Sequence, residues 1–244
     1  MKVIKILHLY YDLMNLSGDS GNITALLEAF NKQNVKVKLD KLSINDNIDF
    51  SKYDLIYIGD GSTNNQELVR QDILKYKDDI TKVIQNNIPF IATGNSYELF
   101  GNKINDKKAL GIFNFNSYNV DKIITDDYIQ NSTRLVSEVV YETDVIDKKV
   151  IGFTNHNHIN NINGNYLFKV IKGFGNDSTS KNEGIHKYHF FGTYTLGPLL
   201  IRNPYLRDKI VKDILIQNNI DYKEDKNNLA YKAYDKYLEN FNIN

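Results

Sequence analysis

The residues from Pro89 to Gly101 read PFIATGNSYELFG. An apolar run stops at a small-residue turn and a helical pattern follows, the layout with which many α/β enzymes raise one nucleophilic side chain above a sheet. The tip of this turn offers Gly94 and Asn95, with Thr93 and Ser96 on either side. Gly94-Asn95-Ser96 begins like the G-x-S-x-G motif, but Glu98 stands where that motif needs a glycine for close packing. Ser96 therefore reads better as a helix N-cap than as a nucleophile.

Two other segments carry residue types with chemical capacity. The loop GDGSTNNQE, Gly59 to Glu67, matches neither G-x-x-x-x-G-K-[ST] nor G-x-G-x-x-G, so no nucleotide motif stands behind it. Such a loop either turns backbone N–H groups toward an anion or oxyanion, or simply joins a strand to a helix. The five histidines are His8, His156, His158, His186 and His189. Alternate positions in NHNH put His156 and His158 on one side of an extended segment, where they either start a metal site or serve as polar loop residues. No third ligand follows at a recognisable spacing, and the second reading is preferred. The chain has no cysteine, which excludes disulfides, thiolate metal sites and a cysteine nucleophile together.

The elements that must position these residues follow from periodicity. Val3 to Tyr10 is strand-like, and a turn-rich segment, Asn15 to Asn22, leads into a helix whose apolar stripe is Ile23, Leu26, Leu27 and Phe30. Val35 to Leu42 alternates with period two. Asp54 to Gly61 is an apolar run ending in a glycine turn, and Val69, Ile73, Ile80, Val83 and Ile84 predict one long helix before the apolar run Ile88 to Ala92. This alternation predicts an α/β fold: a Rossmann-like, doubly wound, mainly parallel sheet with helices on both faces, its crevice beyond the carboxyl ends of the strands. Strand-like pieces then fall near Ile112 to Val120, Leu135 to Tyr141, Val150 to Phe153, Tyr166 to Lys172 and Ile185 to Thr193. Helices are expected again around Leu206, Ile210 and Ile214 and from Leu229 to Leu238. With three prolines and no evident linker, residues 1–244 are expected to form one domain.

Composition narrows the function classes. The 30 basic and 30 acidic residues leave no net field, which disfavours nucleic acid and anionic membrane as partners. A 41% hydrophobic and 12% aromatic content is enough for an ordinary core. No run approaches the roughly 20 apolar residues of a membrane span, and the N-terminus lacks a secretory pattern, so a cytoplasmic protein is expected.

At this point the ordered blocks LSGDSGNI (Leu16 to Ile23), IGDGSTNNQE (Ile58 to Glu67), YELFG (Tyr97 to Gly101), RLVSEVV (Arg134 to Val140), IGFTNH (Ile151 to His156) and GNDSTSKNEGIHKYHFFGTYTLGP (Gly175 to Pro198) become informative together. In order and spacing the chain resembles the class I glutamine amidotransferases, in the CobB/CobQ-like branch, and there the GatD-like glutaminase subunits that work with a MurT-like Mur ligase in cell-wall lipid II amidation. The resemblance implies an elbow cysteine attacking the glutamine amide, a histidine base from a later loop, and backbone N–H groups holding the oxyanion. It places Gly94 at the nucleophile position, Glu98 at a Gln, and Leu196 at the base. Arg134 falls where the resemblance implies recognition of the glutamine carboxylate, although a surface arginine is the alternative. Gly59, Asp60 and Gly61 fall on the oxyanion-side loop, with Asp60 adding a charge that opposes an oxyanion.

These departures imply a pseudoenzyme, inactive as a glutaminase. It would act as a binding or regulatory subunit of a MurT-like Mur ligase or another amide-forming synthetase, with glutamine as a candidate ligand and no cofactor or metal. The alternative is an active amidohydrolase or amidotransferase using Ser96 or Thr93 as a relocated nucleophile, with His156 or His158 as base, to supply ammonia for cell-wall or cobyric-acid-type amidation.

Overall fold

The computed structural model describes residues 2–119, 134–225 and 229–241. Its first half runs β1 (Ile4–Leu9), α1 (Ser20–Lys32), β2 (Val37–Leu42), β3 (Leu55–Ile58), α2 (Thr63–Ile73), α3 (Lys77–Gln85) and β4 (Phe90–Thr93). Short strands follow: β5 (Lys103–Ile104), β6 (Lys107–Lys108), β7 (Asn116–Asn119), β8 (Leu135–Glu142), β9 (Val150–His156), β10 (His158–Asn160), β11 (Phe168–Lys172), β12 (Asn182–Glu183), β13 (Ile185–Lys187) and β14 (Phe190–Thr193). The chain then closes with α4 (Leu199–Arg202), α5 (Pro204–Gln217) and α6 (Leu229–Glu239).

Six strands form the main sheet in the order β13-β14-β4-β3-β1-β2, parallel throughout except for the β13–β14 pair. Its central strands are apolar at nearly every position because both faces are covered. Leu7, Leu9, Ile56, Ile58, Phe90 and Ala92 pack against α2 and α3 on one face. Ile4, Ile6, Leu55, Tyr57 and Ile91 pack against α1 and α5 on the other. Each such aliphatic side chain, once fully buried, contributes roughly 1.5–3 kcal/mol of transfer free energy. The loops after β1, β3, β4 and β14 meet at the carboxyl edge of this sheet, and β1 is where the strand order reverses.

A second, antiparallel sheet, β12-β11-β8-β9, lays Val139, Tyr141 and Phe168 on the α1/α5 side of the core. Its other face receives Tyr234 from α6 and Phe241 beyond it. A small third sheet has the order β10-β7-β5-β6. The edge of β9 would leave ladder groups unpaired, which is costly when buried. Asn203 caps it: Ile151 N–H donates to Asn203 Oδ1 at 2.8 Å, and Asn203 Nδ2 donates to Ile151 C=O at 2.7 Å. Two residues on, Phe153 and Leu196 exchange backbone hydrogen bonds of 3.2 and 2.8 Å.

Three local expectations need correction. The long helix between Thr63 and Gln85 is broken by a 3₁₀ turn at Leu74–Tyr76. The break lets Tyr76 pack its ring on Phe50 and donate its hydroxyl to Asp46 C=O, tertiary contacts that leave no Gly or Pro in the sequence. The single run from Ile185 to Thr193 is a hairpin turning at Tyr188, whose φ of 58° is unusual for a bulky residue. The segment after the elbow, Gly94–Phe100, is a 3₁₀ turn series rather than an α-helix. Val120, the end of the Ile112 to Val120 run, lies outside the described residues.

Because Asn203 satisfies both groups of Ile151 inside the fold, Asn203→Ala should lower unfolding stability by about 2–4 kcal/mol, read by urea denaturation. A loss below about 0.5 kcal/mol would mean that the edge of β9 needs no cap.

Candidate functional site

The elbow forms as the sequence spacing expects. β4 ends at Thr93, and Gly94 follows with φ +64°, the left-handed conformation that a sharp strand-to-helix turn demands. What fills the space above it is the surprise. A Cβ built on Gly94 would lie 2.3 Å from Asp60 Oδ1 and 2.4 Å from Asp60 Cβ, far inside contact distance. The aspartate therefore occupies the volume that a nucleophilic side chain on this elbow would need.

Asp60 also consumes hydrogen-bond donors. The Asn95 N–H, on the residue after the elbow, donates to Asp60 Oδ1 at 3.0 Å, and Ser17 Oγ donates to Asp60 Oδ2 at 2.6 Å. The N–H following an elbow nucleophile is the standard donor to an oxyanion. A second loop donor, Gly61 N–H, is taken by Asn95 Oδ1 at 3.0 Å, while Asn95 Nδ2 donates back to Gly61 C=O at 2.7 Å. Gly59 keeps this loop close: a Cβ there would sit 2.5 Å from Asp19 and from Met14 C=O. Among these groups, both N–H donors that face the elbow are spent on the protein itself.

Burial raises the Asp60 carboxyl to about 6, partly opposed by the Ser17 and Asn95 hydrogen bonds and reinforced by the charges of Asp19 and Glu98. The charge is thus held in a dry place by neutral dipoles. Glu98 is treated differently, although it is fully buried. Its carboxylate accepts from Gln66 Nε2 at 2.8 Å and Tyr194 OH at 2.8 Å, and pairs with His158 Nδ1 at 2.9 Å. Burial acts to lower His158, but the hydrogen bond and charge of Glu98 outweigh it and the net shift is upward.

The other predicted residues fall as follows. Ser96 is fully buried and donates to Thr93 C=O at 2.8 Å and Ile58 C=O at 3.2 Å, so it is not an N-cap. Thr93 points into a buried network, 2.7 Å from Tyr57 OH and donating to Asp19 Oδ1 at 3.0 Å. His156 and His158 lie buried on β9 and β10 instead of in a polar loop. His156 stacks on Tyr194 with ring centroids 3.7 Å apart, and its Nδ1 lies 2.6 Å from His158 C=O. Burial, with smaller contributions from Arg134 and His158, lowers His156 to about 4. None of the hydrogen bonds of Ser96 or Thr93 reaches either imidazole.

A cavity of about 250 Å³ opens over the elbow, bounded by the loops after β1, β3 and β4 and by Arg134, Asn155 and His156. Arg134 stands at its rim, donating from Nε to Asn155 Oδ1 at 2.6 Å and from Nη2 to Asn155 C=O at 2.8 Å. Leu196 does not line it. That residue is 7% exposed and held against Phe153 through its backbone. Ser17 and the pairing of Glu98 with His158 escaped the sequence reading, and Asn95 was noted there only as a residue of the elbow tip. The signals were present only as a non-glycine in the turn and a second histidine two residues after the first.

A model of the CobB/CobQ-like glutamine amidotransferase domain matches residues 5–204, and the chain belongs to that family. Within it, the chain is 29% identical over 229 residues to the lipid II isoglutaminyl synthase (glutamine-hydrolyzing) subunit GatD of Staphylococcus aureus (strain N315), covering 91% of this chain and 89% of that protein. It is 29% identical over 217 residues to the corresponding subunit of Streptococcus pneumoniae (strain ATCC BAA-255 / R6), covering 87% and 80%. Among solved structures, the glutaminase domain of CTPS from Trypanosoma brucei with bound acivicin superposes with a TM-score of 0.53 at 10% identity, over 91% of this chain and 96% of that one. A glutamine amidotransferase from Thermotoga maritima gives 0.50 at 12% identity, over 98% and 92%. At these identities the two structures speak for the fold alone.

The clash at the elbow generates a stability test. Gly94→Cys should lower stability by about 2–3 kcal/mol, from overpacking against Asp60 added to a left-handed φ. The double variant Asp60→Gly/Gly94→Cys should recover most of that loss in denaturant melts. If Gly94→Cys alone is as stable as the wild type, Asp60 does not hold this volume.

Proposed function

We propose that this chain is a non-catalytic, GatD-like member of its family, a cytoplasmic binding or regulatory subunit of a Mur ligase-like or other amide-forming synthetase. The observation that carries this reading is the Asp60 carboxylate, which fills the elbow volume and accepts the Asn95 N–H. Amide hydrolysis by this type of site needs a nucleophile on the elbow, a base beside it and free donors for the oxyanion. Here the elbow bears glycine, the expected base position bears Leu196, and the donors are occupied by acceptors of the chain itself. Loss of a nucleophile and its base from such a set removes roughly six powers of ten in rate.

The match to GatD subunits along most of the chain supports a role beside a ligase, because those relatives are named as subunits of a glutamine-hydrolysing synthase. The relocated-nucleophile alternative gains no support from the geometry. The hydroxyls of Ser96 and Thr93 are buried and directed to Thr93 C=O, Ile58 C=O, Tyr57 and Asp19.

Ammonia release from glutamine tests the proposal, with the purified chain assayed alone and with a Mur ligase-like partner. The expected rate equals that of a Thr93→Ala/Ser96→Ala double variant. Release well above that variant would establish a working nucleophile and end the non-catalytic reading.

A further inference from the structure

The cavity over the elbow is the same site, and its chemistry points to a ligand other than a carboxamide; this inference rests on reading the cavity as a retained ligand pocket. Its floor presents acceptors. Asp60 is held by Ser17 Oγ and the Asn95 N–H, both neutral, and among the described residues no cation stands within ion-pair range of it. Glu98, the other acid at the cavity, is already paired with His158, whose ring it shifts toward protonation. His156, 5% exposed, borders the same space, and its Nε2 has no hydrogen-bond partner. With Nδ1 donating to His158 C=O, that Nε2 carries a lone pair and not a proton. At the rim stands the guanidinium of Arg134, oriented by Asn155.

A glutamine side chain placed here could offer Asp60 only the neutral N–H of its amide, and its amide oxygen would find the Asn95 and Gly61 N–H groups already used. An ammonium group meets the opposite situation: a carboxylate with no counter-cation among the described residues and, on a residue that borders the cavity, an imidazole nitrogen without a hydrogen-bond partner. We propose that the cavity binds a free amino acid whose side chain ends in a cationic amine, with the ammonium on Asp60 and the α-carboxylate toward Arg134. A buried, unpaired charge is costly to keep, and a ligand cation would relieve that cost while the guanidinium at the far end fixes orientation.

Isothermal titration of the whole chain with L-ornithine, L-lysine, L-norvaline and L-glutamine tests this. Ornithine or lysine should bind at least tenfold more tightly than glutamine and than norvaline, which lacks the amine. Asp60→Asn should reduce amine affinity about ten- to hundredfold, and Arg134→Ala should weaken it without altering the preference for an amine. Amine affinity should fall as pH drops through about 6, since protonated Asp60 loses its charge while the ligand keeps its own. Asp19, Glu98 with its partner His158, Arg134, His156 and Tyr194 are the other titratable or charged groups around Asp60 and the cavity; burial holds the Tyr194 hydroxyl well above its ordinary range, and His156 stays neutral above about 4. Glutamine or norvaline binding as tightly as ornithine, no binding of any amine, or unchanged amine affinity in Asp60→Asn would overturn the assignment. The comparison of ornithine with norvaline needs no variant and survives a poorly folding Asp60→Asn. None of these results measures ammonia release, so they can fail while the non-catalytic reading stands, and the reverse.

Discussion

A buried carboxylate that has no counter-cation among the described residues organises the carboxyl edge of the main sheet. Asp60 sits between the loop after β1, through Ser17, and the elbow after β4, through the Asn95 N–H. Coulomb attraction is strong in such a setting, but desolvation of the charge is expensive, so neutral dipoles and a partly raised pKa share the burden. The loops are consequently tied to one another through hydrogen bonds to a single side chain. Gly94 follows from this arrangement, because any larger residue would compete for the same volume. Asn95 follows as well, closing the glycine loop by pairing with both backbone groups of Gly61.

Around that centre the scaffold is conventional for its family. Parallel strands covered on both faces place four loops on one edge, and an antiparallel sheet brings Asn155, His156 and Arg134 to the same cavity. The polar residues beneath the elbow are satisfied with few exceptions. Tyr57, Asp19, Thr93 and Asn22 bond to one another, and Glu98 gathers Gln66, Tyr194 and His158. Satisfied networks of this kind rigidify a site, and they hold the hydroxyls of Thr93 and Ser96 away from reactive roles. His156 Nε2 is one of the exceptions, and it lies on a residue that borders the cavity.

Much of this architecture was legible in the residues. The apolar runs of β1, β3 and β4, the stripe of α1 and the two glycine turns follow directly from burial and periodicity, since local pattern and tertiary environment agree there. The hairpin at Tyr188 was not legible, because its turn lacks the glycine or asparagine that such a φ normally selects. The break between α2 and α3 was hidden for a similar reason: contacts of Tyr76 with Phe50 and Asp46 produce it, and no helix-breaking residue marks it. At the site, the charge of Asp60 was visible in the sequence as an element opposing an oxyanion. Its reach into the Gly94 volume depends on two loops distant in sequence, and spacing alone carries no such information. The burial of His156 and His158 was missed because NHNH is polar, whereas β9 and β10 turn the two rings inward, against Tyr194 and Glu98 respectively.

The hydrogen bond from the Asn95 amide to Asp60 is the most direct measure of the central claim. In a pH titration followed by amide NMR, the Asn95 N–H resonance should move downfield as Asp60 ionises, with a midpoint near 6, and Asp60→Asn should abolish the transition. An Asn95 amide that shows no titration between about pH 4 and pH 8, or one that titrates unchanged in Asp60→Asn, would contradict the account, because the elbow donor would then not be held by this carboxylate.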